Sequence, residues 1–215
     1  MSLMMKEVSF RYPQGAFRFS CDAFSVSAGE CVVINGANGS GKSTMLKLLV
    51  GILRPDKGCI YCDNDDTKEY QLFQFGQKIG YLFQEPDRQL FASTALEELT
   101  FLPLILGESE RTHTERAEGL LATFALKRLE ENSVLTLSRG EKQRLALCAL
   151  LMQQPPYLLL DEPTTGLDEY ARNQLGEYVR DLCSSGVGIV LVTHDHACAS
   201  WADRIISLDA GVVAA

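Results

Sequence analysis

Gly36-Ala37-Asn38-Gly39-Ser40-Gly41-Lys42-Ser43-Thr44 is the stretch that decides how this chain is read. A glycine, four residues and then Gly-Lys-Ser/Thr is the pattern of a phosphate-binding loop. It carries meaning only between a strand and a helix. Both flanks are present: Cys31-Val32-Val33-Ile34 reads as a short buried strand, and Met45 to Val50 as a helix stopped by Gly51. The glycines let successive backbone N–H groups turn inward around an anion. The helix N-terminus adds partial positive charge at the same place. Lys42 supplies a full charge for the β- and γ-phosphates, and the Ser43 hydroxyl suits Mg²⁺. Asn38, Gly39, Ser40, Gly41, Lys42, Ser43 and Thr44 are therefore the candidate nucleotide-binding residues.

Working outward, three further apolar runs end in polar residues. Lys78 to Phe83 ends at Gln84, Tyr157 to Leu160 at Asp161-Glu162, and Gly188 to Val192 at Thr193-His194-Asp195. Continuous apolar runs alternating with helices predict a parallel sheet covered on both faces. In such sheets ligand groups gather beyond the carboxyl ends of the strands. Four polar endings at one sheet edge are more specific than any one of them. Asp161 is placed to hold Mg²⁺. Glu162 is placed to polarise a water for attack on a γ-phosphate. His194, at the same edge, is a candidate phosphate-sensing residue. His113 and His196 lack such a context and read as solvent-exposed or structural.

The remaining segments sort by pattern. Residues 4–35 read as β structure, with Glu7 to Tyr12 and Ala16 to Ser20 alternating around a Pro13-Gln14-Gly15 turn. Asp63-Asn64-Asp65-Asp66 reads as a solvated acidic turn, and Cys59-Ile60-Tyr61-Cys62 as a strand despite its CxxC spacing. Residues 85–137 lose strand character. There Thr94-x-x-Glu97 opens a helix that Pro103 is expected to stop. Ala117, Leu120, Leu121, Phe124 and Leu129 then recur at helical spacing. Further helices are expected after Ser138-Arg139-Gly140-Glu141, ended by Pro155-Pro156, and over 169–183. A last strand is expected over 204–208.

Composition bounds the class. The 215 residues suffice for one good-sized domain without disulfide or metal staples. Twenty basic against 28 acidic residues, a net charge of −8, argue against a nucleic-acid partner. The seven scattered cysteines are expected as free thiols. No apolar run approaches the ~18 residues of a membrane span, and no signal-peptide pattern opens the chain. The protein is therefore expected in the cytosol, with any membrane role supplied by a partner.

Leu137-Ser138-Arg139-Gly140-Glu141, followed by Gln143-Arg144 and then by Leu158-Leu159-Leu160-Asp161-Glu162-Pro163-Thr164, resembles the signature and Walker B region of ABC-transporter ATPases. The motif order holds along nearly the whole chain: Tyr12, 36–44, Gln84, 137–141, Asp161-Glu162, Gly166-Leu167-Asp168, His194. Arg139 and Glu141 depart from the usual Leu-Ser-Gly-Gly-Gln, while Ser138 and Gly140 are intact. The resemblance implies an α/β fold of the P-loop NTPase, RecA-like kind: a parallel sheet core with an N-terminal antiparallel β sub-lobe and an inserted helical sub-lobe. It implies one domain over 1–215, with 1–84 and 138–215 as core and 85–137 as the helical part.

It also implies ATP hydrolysis in a head-to-tail dimer, with an identical or paralogous second cassette. Each ATP would meet Lys42, Ser43, Gln84, Asp161, Glu162 and His194 of one chain and Ser138 and Gly140 of the other. Tyr12 would stack on adenine, and Ser43, Gln84 and Asp161 would hold Mg²⁺. Phe83-Gln84-Glu85-Pro86-Asp87-Arg88-Gln89-Leu90-Phe91 is similar to the Gln-loop of energy-coupling-factor ATPases, importers of vitamins, cobalt and nickel. In that group the segment receives a transmembrane coupling protein, with a substrate-binding membrane subunit reached indirectly. The expected location is then the cytoplasmic face of the membrane. Competing readings are a soluble ABC ATPase acting on ribosomes or DNA, an efflux cassette, and a small-molecule kinase, which would leave the signature unexplained.

Overall fold

Alternation along the apolar strands divides the core in two. The structure is a computed structural model and describes residues 1–214. Its strands are β1 (Ser2–Arg11), β2 (Arg18–Ser27), β3 (Cys31–Asn35), β4 (Lys57–Cys62), β5 (Asp65–Asp66), β6 (Ile79–Leu82), β7 (Tyr157–Asp161), β8 (Gly188–Val192), β9 (Arg204–Asp209) and β10 (Val212–Ala214). The helices are α1 (Lys42–Leu49), α2 (Leu72–Lys78), α3 (Ala95–Ile105), α4 (Glu110–Thr123), α5 (Arg139–Leu151) and α6 (Glu169–Ser184).

Successive strand residues point to opposite faces. Val32, Ile34, Leu159, Val190 and Val192 pack on one face against α1 and the antiparallel strands. Cys31, Val33, Leu158, Leu160, Ile189 and Leu191 pack on the other, against α5, α6 and residues of α3 and α4. The helical segment therefore has no core of its own; it shares one with the sheet.

The strand order is β5-β4-β1-β2-β10-β9-β3-β8-β7-β6. The last five, β9 to β6, run parallel. The first four pair antiparallel. The two regions form one sheet because β10 folds back on β9 and pairs with β2 through Val212 and Ser20. The β9–β10 hairpin was not expected from the sequence, and its turn at Ala210-Gly211 abuts the phosphate loop. Gly211 N–H donates to Ser40 O at 2.8 Å, and Ser20 N–H to Gly211 O at 2.7 Å. Gly211 has φ +87, and a Cβ there would lie 1.9 Å from Arg18 O, so only glycine fits.

Several local expectations are corrected. Pro103 does not stop α3, which runs on to Ile105. Its ring sits in the last turn, where after Leu106 N–H on Leu102 O the helix bonds give way to Gly107 N–H on Leu104 O and Glu108 N–H on Pro103 O. The apolar spacing up to Leu129 is not one helix. Thr123 ends α4, Ala125 turns left-handed at φ 55, and Leu129 belongs to a short 3₁₀ turn. The acidic stretch is a turn with Asn64, Asp65 and Asp66 exposed, as expected, and it closes a tight hairpin between β4 and β5. Asp63 and Asn64 both have positive φ, as a two-residue hairpin turn requires. Asp63 accepts a bond from Tyr157 Oη at 2.6 Å. α2 carries no strong periodicity and was not anticipated.

Among the described residues no helix is long and apolar enough to cross a membrane. The cysteines are free, and Cys59 and Cys62 lie on β4 as expected.

Candidate functional site

The parallel strands bring their polar endings to one edge, where a cavity of about 380 Å³ opens. Tyr12, Phe17, Asn38, Gly39, Gly41, Lys42, Ser43, Thr44, Gln84, Asp161 and Glu162 line it. The loop's shape rests on two left-handed glycines, Gly39 at φ +80 and Gly41 at φ +108. Gly36 is needed for close approach: a Cβ there would lie 2.3 Å from Leu208 O. Lys42, only 6% exposed, donates to Gly36 O at 2.7 Å and Ala37 O at 3.0 Å. With three donors on an ammonium, one remains for the cavity. Ser40 differs from the sequence reading. Its side chain is buried with Oγ unpartnered, it does not line the cavity, and its N–H is bonded to Ala37 O.

Asp161 closes β7 with its side chain buried. Burial pushes its carboxyl above the ordinary range, and bonds from the Ser43 and Tyr81 hydroxyls partly offset this. Tyr81 Oη lies 3.3 Å from Asp161 Oδ2, and its own pKa is raised mainly by burial.

Glu162 follows in the left-handed region at φ 54, pinned by its N–H to Val192 O at 2.8 Å. A non-glycine residue held there is strained, and such strain concentrates at functional sites. His194 Nδ1 stands 2.9 Å from both Glu162 oxygens, with hydrogen-bond geometry to Oε1 alone. Glu162 Oε2 is buried and has no partner. The imidazole thus holds the carboxylate in place, hydrogen-bonded to one oxygen and close to the other.

Tyr12 lies just past β1, with Oη 3.2 Å from Thr44 Oγ1 and its ring edge-on to Phe10 at 4.9 Å. Phe17 is a lining residue that sequence reasoning missed. It begins the run after the Pro13-Gln14-Gly15 turn, and a Cβ on Gly41 would come 2.7 Å from its ring. The only sequence signal was a second aromatic across that turn.

Ser138 and Gly140 do not line the cavity. Ser138 caps α5 at the surface. Its N–H and hydroxyl donate to Glu141 Oε2 at 2.9 and 2.8 Å and hold the Glu141 carboxyl below its usual range. Gly140 packs against the loop before α6, where a Cβ would lie 3.1 Å from Gly166 O. A side chain there would press on the Gly166 carbonyl. Asp168 caps α6 by accepting from Ala171 N–H at 2.8 Å. His113 is buried, which fits the structural alternative, with Nδ1 unpartnered. The reading of His196 lies outside the described side chains.

A glycine-lined phosphate cradle, a buried lysine and an acid pair at the end of a parallel sheet define a P-loop nucleotide-hydrolysing enzyme. The ABC transporter family model matches residues 21–165. A provisionally named ABC transporter ATP-binding protein of Pyrococcus horikoshii is 38% identical over 207 residues, 96% of this chain and 79% of that protein. The energy-coupling factor transporter ATP-binding protein EcfA2 of Methanospirillum hungatei is 35% identical over 214 residues, 98% of this chain and 54% of that protein.

Among solved structures, cbiO1 from Clostridium perfringens, part of the ABC transporter complex cbiONQ, superposes with a TM-score of 0.88. It shares 28% identity and is covered to 86%, over 99% of this chain. The ATP-binding cassette MJ0796, in a dimeric post-hydrolysis state bound to ADP and Pi, superposes at 0.89. It shares 31% identity, with 99% of this chain and 97% of that one covered. The chain belongs to the ABC transporter ATP-binding family, and it is an ATPase.

Proposed function

We propose that this chain is the ATP-hydrolysing motor of an energy-coupling-factor type importer for a vitamin or a transition-metal ion. One observation carries the reading: residues 83–91 match that group's Gln-loop and lead into an exposed apolar surface. Phe91 packs edge-on to Phe101 at 4.9 Å, and Leu104, Ile105 and Leu106 beyond it are each more than 60% exposed. A run of large apolar side chains in water marks a protein contact. The similarity to EcfA2 and to cbiO1 supports the same partner class, a transmembrane coupling protein, with a substrate-binding membrane subunit reached through it. The chain then works as a peripheral protein at the cytoplasmic membrane face, and 85–137 is its partner-facing helical sub-lobe.

In the site, loop N–H groups and Lys42 hold the phosphates, and Tyr12, with Phe17 beside it, meets the adenine. Ser43, Asp161 and Gln84, which line the one cavity, offer a set of oxygens suited to Mg²⁺. When bound, Mg²⁺ neutralises charge on the β- and γ-phosphate oxygens. Glu162 takes a proton from the attacking water, and His194 holds that carboxylate in place. Ser138 and Gly140 serve the ATP of a second cassette, as in a head-to-tail dimer.

The test is a pull-down of the tagged protein from detergent-solubilised native membranes. Recovery of a membrane coupling protein with a small membrane subunit is expected. Recovery of soluble partners only, such as ribosomal proteins, would overturn the importer reading and leave the ATPase standing.

A further inference from the structure

Tyr81 is the one polar side chain of β6, whose other residues are Ile79, Gly80 and Leu82. β6 pairs in parallel with β7, and Tyr81 lies opposite Leu159. Residues two apart on a strand share a face, so Tyr81 and Asp161 stand on the same side of the sheet. The Tyr81 side chain is 8% exposed, and its ring packs against that of Phe83 at 4.6 Å. Its hydroxyl donates to Asp161 Oδ2 at 3.3 Å, its one hydrogen bond among the described residues.

The packing does not call for this oxygen, since phenylalanine has the same shape without it. A buried phenol needs a hydrogen-bond partner, and here the partner is a carboxylate that lines the cavity. That carboxylate in turn needs orienting. Its last torsion joins an sp³ to an sp² carbon and is soft, so the backbone does not set the plane of the two oxygens. A donor on Oδ2 fixes that plane and leaves Oδ1 for a cation or its water. At 3.3 Å the bond is long for a hydroxyl on a carboxylate, so it orients the group more than it stabilises it.

We propose that Tyr81 is a positioning residue that holds the Asp161 carboxylate for the divalent cation of the nucleotide site. This rests on the proposed Mg²⁺ role of Asp161. Removing the outer hydrogen-bond partner of a metal-ligating carboxylate commonly lowers metal affinity about 10–100-fold.

The experiment needs no second cassette. ADP affinity of the single chain is measured by calorimetry in EDTA and again in excess Mn²⁺, with bound Mn²⁺ followed by electron paramagnetic resonance. Mn²⁺ favours the same oxygen ligands as Mg²⁺ and carries the spectroscopic signal. The parent is expected to bind ADP more tightly with the metal than without it. Tyr81→Phe, which removes one oxygen and keeps the ring, is expected to hold the affinity in EDTA within about twofold. It is expected to cut the gain from Mn²⁺ by about tenfold. The same gain in Tyr81→Phe as in the parent would overturn the positioning role and leave the metal site standing. An equal loss with and without metal would make Tyr81 a packing residue and overturn the role as well. A parent that gains nothing from Mn²⁺ would overturn the metal reading, and the proposal with it.

Discussion

Two regions of this molecule that carry the family's motifs are built in opposite ways. The phosphate loop with Asp161 and Glu162 is assembled inside a single chain, on buried strand ends, with most side chains already bonded. The signature segment stands at the surface: Ser138 is exposed, its side chain bonds only to Glu141, and it does not line the cavity. The first region is complete as folded. The second has the form of a recognition edge, a helix N-terminus presented outward. A motif can thus be intact in sequence and still be unfinished in one chain.

The contrast can be broken or sharpened by substitution. Glu162→Gln is expected to give the largest effect, cutting ATP turnover about 10²–10⁴-fold by removing the proton acceptor. Nucleotide affinity should persist and a dimer should accumulate in ATP. Steady-state phosphate release with light scattering checks both, and retained turnover would remove Glu162 from the base role.

Lys42→Ala should weaken nucleotide binding about 10–100-fold, the range of a charged hydrogen bond to phosphate. Unchanged affinity by calorimetry would undo the phosphate-loop assignment.

Ser138→Ala should lower turnover roughly tenfold while leaving the single chain's nucleotide affinity as it is, since the proposed partner's ATP lies outside this chain's cavity. Equal losses in affinity and turnover would mean that Ser138 serves its own chain, and the contrast would fall.

The smallest effect is on stability. Burial raises the Asp161 pKa above its unfolded value, so the folded state holds that proton more tightly and ionisation at neutral pH costs stability. Asp161→Asn is expected to raise Tm at pH 7. The gain should fade as pH drops through the raised pKa of Asp161, which lies above the ordinary ~3.9. A lower Tm at pH 7 would show that the Ser43 and Tyr81 bonds outweigh the burial.

Much of the candidate site was legible because its parts are local. The loop from Gly36 to Thr44 encodes its own turn, and an acid directly after four apolar residues announces a strand end. Tyr12 was legible only through its place in the motif order, and Phe17 only as a second aromatic across the turn. Both reach the cavity because β1 and β2 pair across a turn and swing over Gly41. The helix boundary at Thr123 was missed because apolar spacing persists through the left-handed Ala125, which periodicity cannot detect. Pro103 was over-read because a proline near a helix end removes a bond that is already about to be lost.

By itself the sequence determined the phosphate loop, the order of strand endings, the parallel core and the identity of the charged groups that line the cavity. These depend on backbone geometry within a few residues, which composition and spacing encode directly. Tertiary structure alone decided that β10 joins the two regions into one sheet and that Ser40 turns away from the cavity. It also decided that Ser138 stays outside the cavity and that Asp87 finds Lys142, 55 residues away. Such pairings follow from how faces bury against one another, and no local stretch of chain carries that information.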